Sequence, residues 1–226
     1  MKEKRVFNIV DLVLNALVLI FTIASVAYYW FKQGTGNMQV VGSLCLRYFT
    51  IDSNIFCAIT CGIILVFNIM RLKNPDLVTP TWAVIVKFLG MNSVMVTFLV
   101  VVVGLTPMNV AMNGAPLFDL FTENSFFLHF LCPVLAFLSV VIFEKWDDFN
   151  KKYMWLELVA ITVYGIVYYL MVVILAEWED FYGFTAGGRW YIMWIPPVAI
   201  FGISIGVGYL TFYIRDKARK KVFVKD

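Results

Sequence analysis

Residues 82–105 read WAVIVKFLGMNSVMVTFLVVVVGL, twenty-four residues with a single charge, Lys87. A helix rises ~1.5 Å per residue and a bilayer core is about 30 Å thick, so about 20 such residues span it. The run is continuously apolar and lacks the alternation of a barrel strand, so Trp82–Leu105 is predicted to be a transmembrane helix. Five further segments read the same way: Phe7–Phe31, Leu44–Met70, Asn124–Phe143, Tyr153–Ala176 and Trp190–Ile214. Aromatic residues of the interfacial kind mark many of their edges (Tyr28, Tyr29, Trp30, Trp146, Trp155, Trp178, Trp190).

Composition agrees. Of 226 residues, 62% are apolar or aromatic and 15% charged, with mean hydropathy +0.83, whereas soluble domains carry roughly 25% charged residues. A soluble globule, a disordered tail and a nucleic-acid binder with a broad basic face are all excluded. The expected fold is an all-α integral membrane protein, one six-helix transmembrane domain over residues 1–226. Six spans leave only short loops and no room for a soluble domain.

Charge sets the expected orientation. Lys2, Lys4, Arg5, Arg71, Lys73, Lys145, Lys151, Lys152, Arg215, Lys217, Arg219, Lys220, Lys221 and Lys225, fourteen of the eighteen basic residues, fall on one side. Lys32 and Arg189 fall on the other, and the loop Gly104–Glu123 carries no basic residue. The positive-inside rule then makes both termini cytoplasmic, and the expected location is the plasma membrane. The basic tail from Arg215 to Asp226 reads as a stop-transfer signal. The start of the chain has the shape of a signal peptide up to Ser25-Val26-Ala27, but Tyr28-Tyr29-Trp30 follows as an interfacial belt, so an uncleaved first span is expected.

Cys45, Cys57, Cys61 and Cys132 all fall inside predicted spans, with no CxxC and one histidine in the chain. A structural zinc site or a multi-histidine metal centre is therefore not expected. GxSxG, P-loop, GxGxxG and HExxH patterns are missing, and there is no internal repeat. Neither metal nor cofactor is predicted, and the oligomeric state is left open.

Ionisable groups inside spans are expensive and mark buried pairs or sites. They sort into two layers. Asp11, Lys87 and Glu157 lie toward the cytoplasmic ends, and their signs predict mutual neutralisation, Lys87 with Glu157 or Asp11. Near the other end, Thr50 on span 2 and His129 on span 4 share a depth, roughly 7–9 Å below their helix ends at ~1.5 Å per residue. At ~100° per residue, Arg47, Thr50, Ser53, Asn54, Cys57 and Cys61 fall within an arc of about 120°, a polar stripe expected to face the bundle. Asp52 points elsewhere, with Arg189 or Tyr191 as its candidate partner.

A hydroxyl becomes a nucleophile when a base takes its proton, and histidine is the usual base. Thr50 and His129 are thus the candidate catalytic pair. Arg47, Asp52, Ser53 and Asn54 are candidate substrate-binding residues: Arg47 for a carboxylate, Ser53 or Asn54 as donors to an oxyanion. Asn124, Ser125 and Asp52 are candidates to orient His129, and Cys132 is a substitute nucleophile. Plainer readings exist. Buried Thr and Ser bond back to their own helix, and His129 can serve a carbonyl freed by Pro133.

Arg47-Tyr48-Phe49-Thr50 resembles the [K/R]-[F/Y]-x-T segment of the androgen-induced membrane proteins and the androgen-dependent regulator of tissue factor pathway inhibitor. These are multi-span threonine hydrolases of fatty-acid esters of hydroxy fatty acids. Phe49-Thr50 followed by Ser53-Asn54 is similar to the wording of their bacterial six-span relatives. Leu128-His129 with Pro133 resembles the family's L-H-x-x-x-P. The resemblance implies Thr50 as nucleophile, His129 as its partner, an acyl-threonine intermediate and a lipid or fatty-acid ester substrate. Residues 187–192, Gly-Gly-Arg-Trp-Tyr-Ile, depart from the proline-rich last loop of the bacterial branch. The acyl chains are expected against Phe49, Phe56, Phe126, Phe127 and Phe130, although plain packing is the simpler reading of those rings. The alternative function is a non-enzymatic lipid-binding protein or small carrier that uses the same pocket.

Overall fold

A computed structural model describes residues 2–32, 41–144 and 150–223; Lys145, Trp146 and Lys225, used above as orientation and edge marks, lie outside them. The described residues contain no strand and six helices long and apolar enough to cross a membrane. They are α1 (Lys2–Phe31), α2 (Phe49–Lys73), α3 (Thr81–Asn113), α4 (Glu123–Phe143), α5 (Lys151–Ile174) and α6 (Ile195–Phe223). Large apolar side chains such as Ile20, Val66, Val103, Val163 and Val198 point outward, as a hydrocarbon solvent permits.

Three boundaries differ from the sequence reading for local reasons. Residues 42–47 form a separate tight turn, and extended Tyr48 (φ −93°, ψ 126°) breaks it from α2. Leu44–Tyr48 therefore precede the span, and Cys45 and Arg47 leave it. α3 continues past Leu105, so the loop expected from Gly104 begins only at Gly114. That residue adopts φ 61° and donates its N–H to Val110 O at 3.1 Å, an ordinary left-handed helix stop. α6 begins at Ile195 because Pro196 and Pro197 suit a first helical turn, where no N–H is required; Trp190 belongs to the preceding loop.

Pro107 and Pro133 lie inside long helices, where each removes a hydrogen bond. Both helices answer with a widened i→i+5 turn just upstream, over Val100–Leu105 and Phe127–Leu131. Such turns re-aim the side chains they carry and recur at functional sites.

α3 is the most buried span. The core joins its Phe88, Met91, Val94 and Met95 to Val18, Cys57, Cys61, Cys132, Val140 and Val207. α2 and α3 approach closely at Gly90, where an added Cβ meets the Thr60 side chain and lies 3.1 Å from Cys57 Cα.

Polar residues gather at both ends of the bundle, in the two expected layers. At the end where α1 begins and α6 ends, Asp11 accepts from Ser139 Oγ at 2.7 Å, Asn68 Nδ2 at 2.9 Å and Asn15 Nδ2 at 3.1 Å. Lys87 Nζ reaches Asn15 Oδ1 at 2.6 Å. Asp11 and Lys87 are thus joined through an amide, and among the described residues no direct ion pair links Lys87 to Asp11 or Glu157. Glu157 sits apart, accepting from Asn92 Nδ2 at 2.7 Å and lying over Gly208 of α6.

Candidate active site

At the opposite end, Thr50 stands on the first turn of α2 and His129 on the widened turn of α4, with 7% and 6% of their surfaces exposed. Thr50 Oγ1 and His129 Nε2 are 3.4 Å apart, a loose hydrogen bond of the kind catalytic pairs show without substrate. The other ring nitrogen, Nδ1, lies 2.7 Å from Leu120 O. A carbonyl only accepts, so Nδ1 carries the hydrogen and Nε2 offers its lone pair to the Thr50 hydroxyl.

Leu120 is held for this task by a folded-back loop. Asp119 accepts from Asn109 Nδ2 at 3.1 Å, Asn113 braces Asn109 at 2.9 Å, and Thr122 Oγ1 closes on Asp119 O at 2.8 Å. The ring of Phe121 stands edge-on to the imidazole, centroids 6.3 Å apart. Ser125 bonds Tyr29 at 3.0 Å, and neither Asn124 nor Asp52 is hydrogen-bonded to His129 among the described residues. The orienter is a main-chain group that no motif announces.

Asn54 fixes the spacing of the pair. Its Nδ2 donates to Thr50 O at 2.7 Å and to Leu128 O at 3.1 Å. In an i→i+5 turn the acceptor Leu128 O awaits the N–H of residue 133, which is proline. Asn54, not His129, answers the carbonyl freed by Pro133. Both Asn54 hydrogens are committed, so the amide is a clamp between α2 and α4 and not an oxyanion donor. Ser53 is engaged likewise, with Thr50 O at 3.2 Å and Thr97 Oγ1 at 3.0 Å.

Arg47 and Asp52 stand apart from the pair. Because the turn before α2 is separate, the Arg47 guanidinium lies over the Trp178 ring, 5.8 Å from its centroid. Asp52 is half-buried, and among the described residues it has no hydrogen bond to Arg189 or Tyr191, which are both exposed. Cys132 turns toward α1, its Sγ 3.8 Å from Thr22 Oγ1.

Thr50 also forms part of the wall of a cavity of about 400 Å³ enclosed by α2, α3, α5, α6 and the α5–α6 loop. Its other walls include Phe49, Thr97, Tyr164, Tyr168, Tyr182 and Phe201. Of the five phenylalanines expected around a ligand, only Phe49 is there. Phe126 stacks on Phe130, Phe127 packs against Phe21, and Phe126 and Phe130 are more than a third exposed. The cavity opens on the α5 side of Thr50, away from the α4 rings. The i, i+4 spacing of Tyr164 and Tyr168, joined by Tyr169, was the available signal for it.

Tyr182 covers the cavity, its hydroxyl accepting from Phe49 N at 3.0 Å. Asp180 ties down this cover by accepting from Tyr168 Oη at 2.6 Å, Phe184 N at 2.9 Å, Thr185 N at 2.8 Å and Thr185 Oγ1 at 2.6 Å. Partial burial pushes the Asp180 carboxyl up, but the donors from Thr185, Tyr168 and Phe184 outweigh it and hold it below its ordinary value of 3.8. A carboxyl depressed on folding stabilises above its unfolded value and ceases to as pH falls through the folded one. The cover is therefore expected to loosen only below that value. Exchange of the Phe184 and Thr185 amides should accelerate there relative to Asp180→Asn, in which the same amides lack that transition; identical pH profiles refute the clamp.

No family model matches the chain, and no curated protein or solved structure is significantly similar to it.

Proposed function

We propose that the chain is an intramembrane hydrolase of lipid esters, with Thr50 as nucleophile and His129 as general base. One observation carries the reading: Thr50, whose hydroxyl meets the lone-pair nitrogen of His129, also forms part of the wall of an apolar cavity of about 400 Å³. A carrier needs the cavity but has no use for a hydroxyl whose proton acceptor is fixed in one tautomer. The resemblance around Thr50 and His129 points the same way.

In the proposed reaction, Nε2 takes the Thr50 proton as Oγ1 attacks the ester carbonyl. The imidazolium returns that proton to the leaving alcohol, and Nδ1–H stays bonded to Leu120 O throughout. Water, deprotonated by the same nitrogen, then cleaves the acyl-threonine. The Thr50 amide lies in the first turn of α2, where N–H groups have no partner within the helix. It is the donor we assign to the developing oxyanion, in place of Ser53 and Asn54. The positive-inside distribution supports cytoplasmic termini and a site in the opposite leaflet of the plasma membrane, with lipid esters entering from the bilayer.

The test is a long-chain alkyl fluorophosphonate on the purified protein in lipid nanodiscs. The expected adduct maps to Thr50 and is suppressed by a competing long-chain ester. An unlabelled Thr50, with the ester still raising the thermal midpoint, would leave a lipid-binding protein in its place.

A further inference from the structure

The reaction above leaves a second group of chemically capable side chains unused. Lys87 of α3 and Cys61 of α2 are both fully buried, and Lys87 Nζ lies 2.7 Å from Cys61 Sγ. That is no longer than an ordinary N–H···O hydrogen bond, although sulfur is the larger atom. Asn15 Oδ1 holds the nitrogen from the other side at 2.6 Å. A cation inside a membrane is costly unless offset, yet the Asp11 carboxylate reaches Lys87 only through Asn15. Besides the Asn15 amide, the group in direct contact is a thiol, one of the few oxidisable side chains. No atom separates the nitrogen from the sulfur, and their spacing matches that of the end atoms of an N–O–S linkage.

We propose that Lys87 and Cys61 are a site of oxidative cross-linking, in which dioxygen joins them as a covalent N–O–S bridge and locks α2 to α3. Dioxygen is apolar and dissolves in lipid, so burial from water does not shield the pair from it. One oxygen atom is inserted between Nζ and Sγ. The amine and the thiol each give up one hydrogen, and these leave with the second oxygen atom as water. Nitrogen and sulfur give up two electrons each, and dioxygen takes all four. Two equivalents of a dithiol reductant supply the four electrons that cleave the bridge, returning amine and thiol and releasing the bridging oxygen as water. The site is independent of the esterase reading, since it uses neither Thr50 nor His129.

The experiment is peptide mass mapping of the wild-type protein, purified in lipid nanodiscs and either aerated or kept under reductant. The expected product is a linked pair of peptides carrying Lys87 and Cys61, heavier by one oxygen and lighter by two hydrogens than their sum. It should vanish on dithiol treatment, be missing from Cys61→Ser and persist in Cys57→Ser. Aerated protein should also unfold at higher temperature than reduced protein. Unlinked Lys87 after prolonged aeration overturns the proposal. So does a link without added oxygen, whether a sulfenamide between Lys87 and Cys61 or a disulfide to Cys57 or Cys132. The readout is the wild-type chain, so it does not depend on any variant folding.

Discussion

Thr50→Ala is expected to lower turnover of a long-chain ester by about 10³–10⁴-fold and leave the fold intact, because an alanine offers no atom for an acyl intermediate. Among the described residues the side-chain hydroxyl has one hydrogen-bond partner, His129. Its loss should therefore cost no more than one net hydrogen bond, about 0.5–1.5 kcal/mol. Thr50→Ser keeps the hydroxyl and should retain measurable turnover. His129→Ala should fall to a similar level, and the double variant no further, since a nucleophile and its base act as one unit. Rates in nanodiscs, with thermal midpoints measured alongside, decide it. Multiplying losses in the double variant, or full activity in Thr50→Ala, would remove this pair from the chemistry.

A single cycle on Asn54 separates geometry from chemistry. Among the described residues Asn54 donates only to backbone, Thr50 O and Leu128 O, so its removal alters the spacing of the pair and leaves both reacting groups in place. The clamp exists because Pro133 deprives the widened turn of one donor. The same proline therefore creates the aim of His129 and the vacancy that Asn54 fills.

This explains which parts of the site were legible in the sequence. The spans could be read because charges are nearly excluded from long runs and return in the loops. Thr50, Ser53, Asn54, Cys57 and Cys61 could be placed together because a single helix has one angular period, and all five are buried on α2. Arg47 was placed on that stripe by extending the period backward, and one extended residue, Tyr48, broke it. Leu120 could not be found at all. Its contribution is a carbonyl, identical in every residue, delivered by the Asn109–Asp119 brace across a loop. The cavity failed to be located for another reason: phenylalanines near the motif were the obvious lining, but which helix faces meet depends on packing between spans. That packing sends Phe126 and Phe130 outward and brings in tyrosines from α5.

The largest effect on stability is expected at the other polar layer. Asp11 is 1% exposed and gathers donors from α1, α2 and α4 at one carboxylate. Two buried cations depend on that arrangement at one remove: Lys87 through Asn15, and Arg71 through Asn68 at 2.6 Å. Asp11→Leu takes this anion from both and leaves Glu144 as a carboxylate still acting on them; removing one side of a buried charge arrangement typically costs roughly 3–5 kcal/mol. Asp11→Asn keeps one of the two acceptor oxygens and the polarity of the site, and should cost less, although its NH2 then faces a donor. Adding Lys87→Met to Asp11→Leu should recover part of the loss, because it removes one of the two stranded cations. The measurement is reversible unfolding in mixed detergent micelles, read as a double-mutant cycle. A cycle that closes additively would mean that the two charges do not sense each other, and that Asn15 merely fills space between them. Coupling of more than about 1 kcal/mol makes the Asp11–Asn15–Lys87 chain an energetic link that ties α1 to α3.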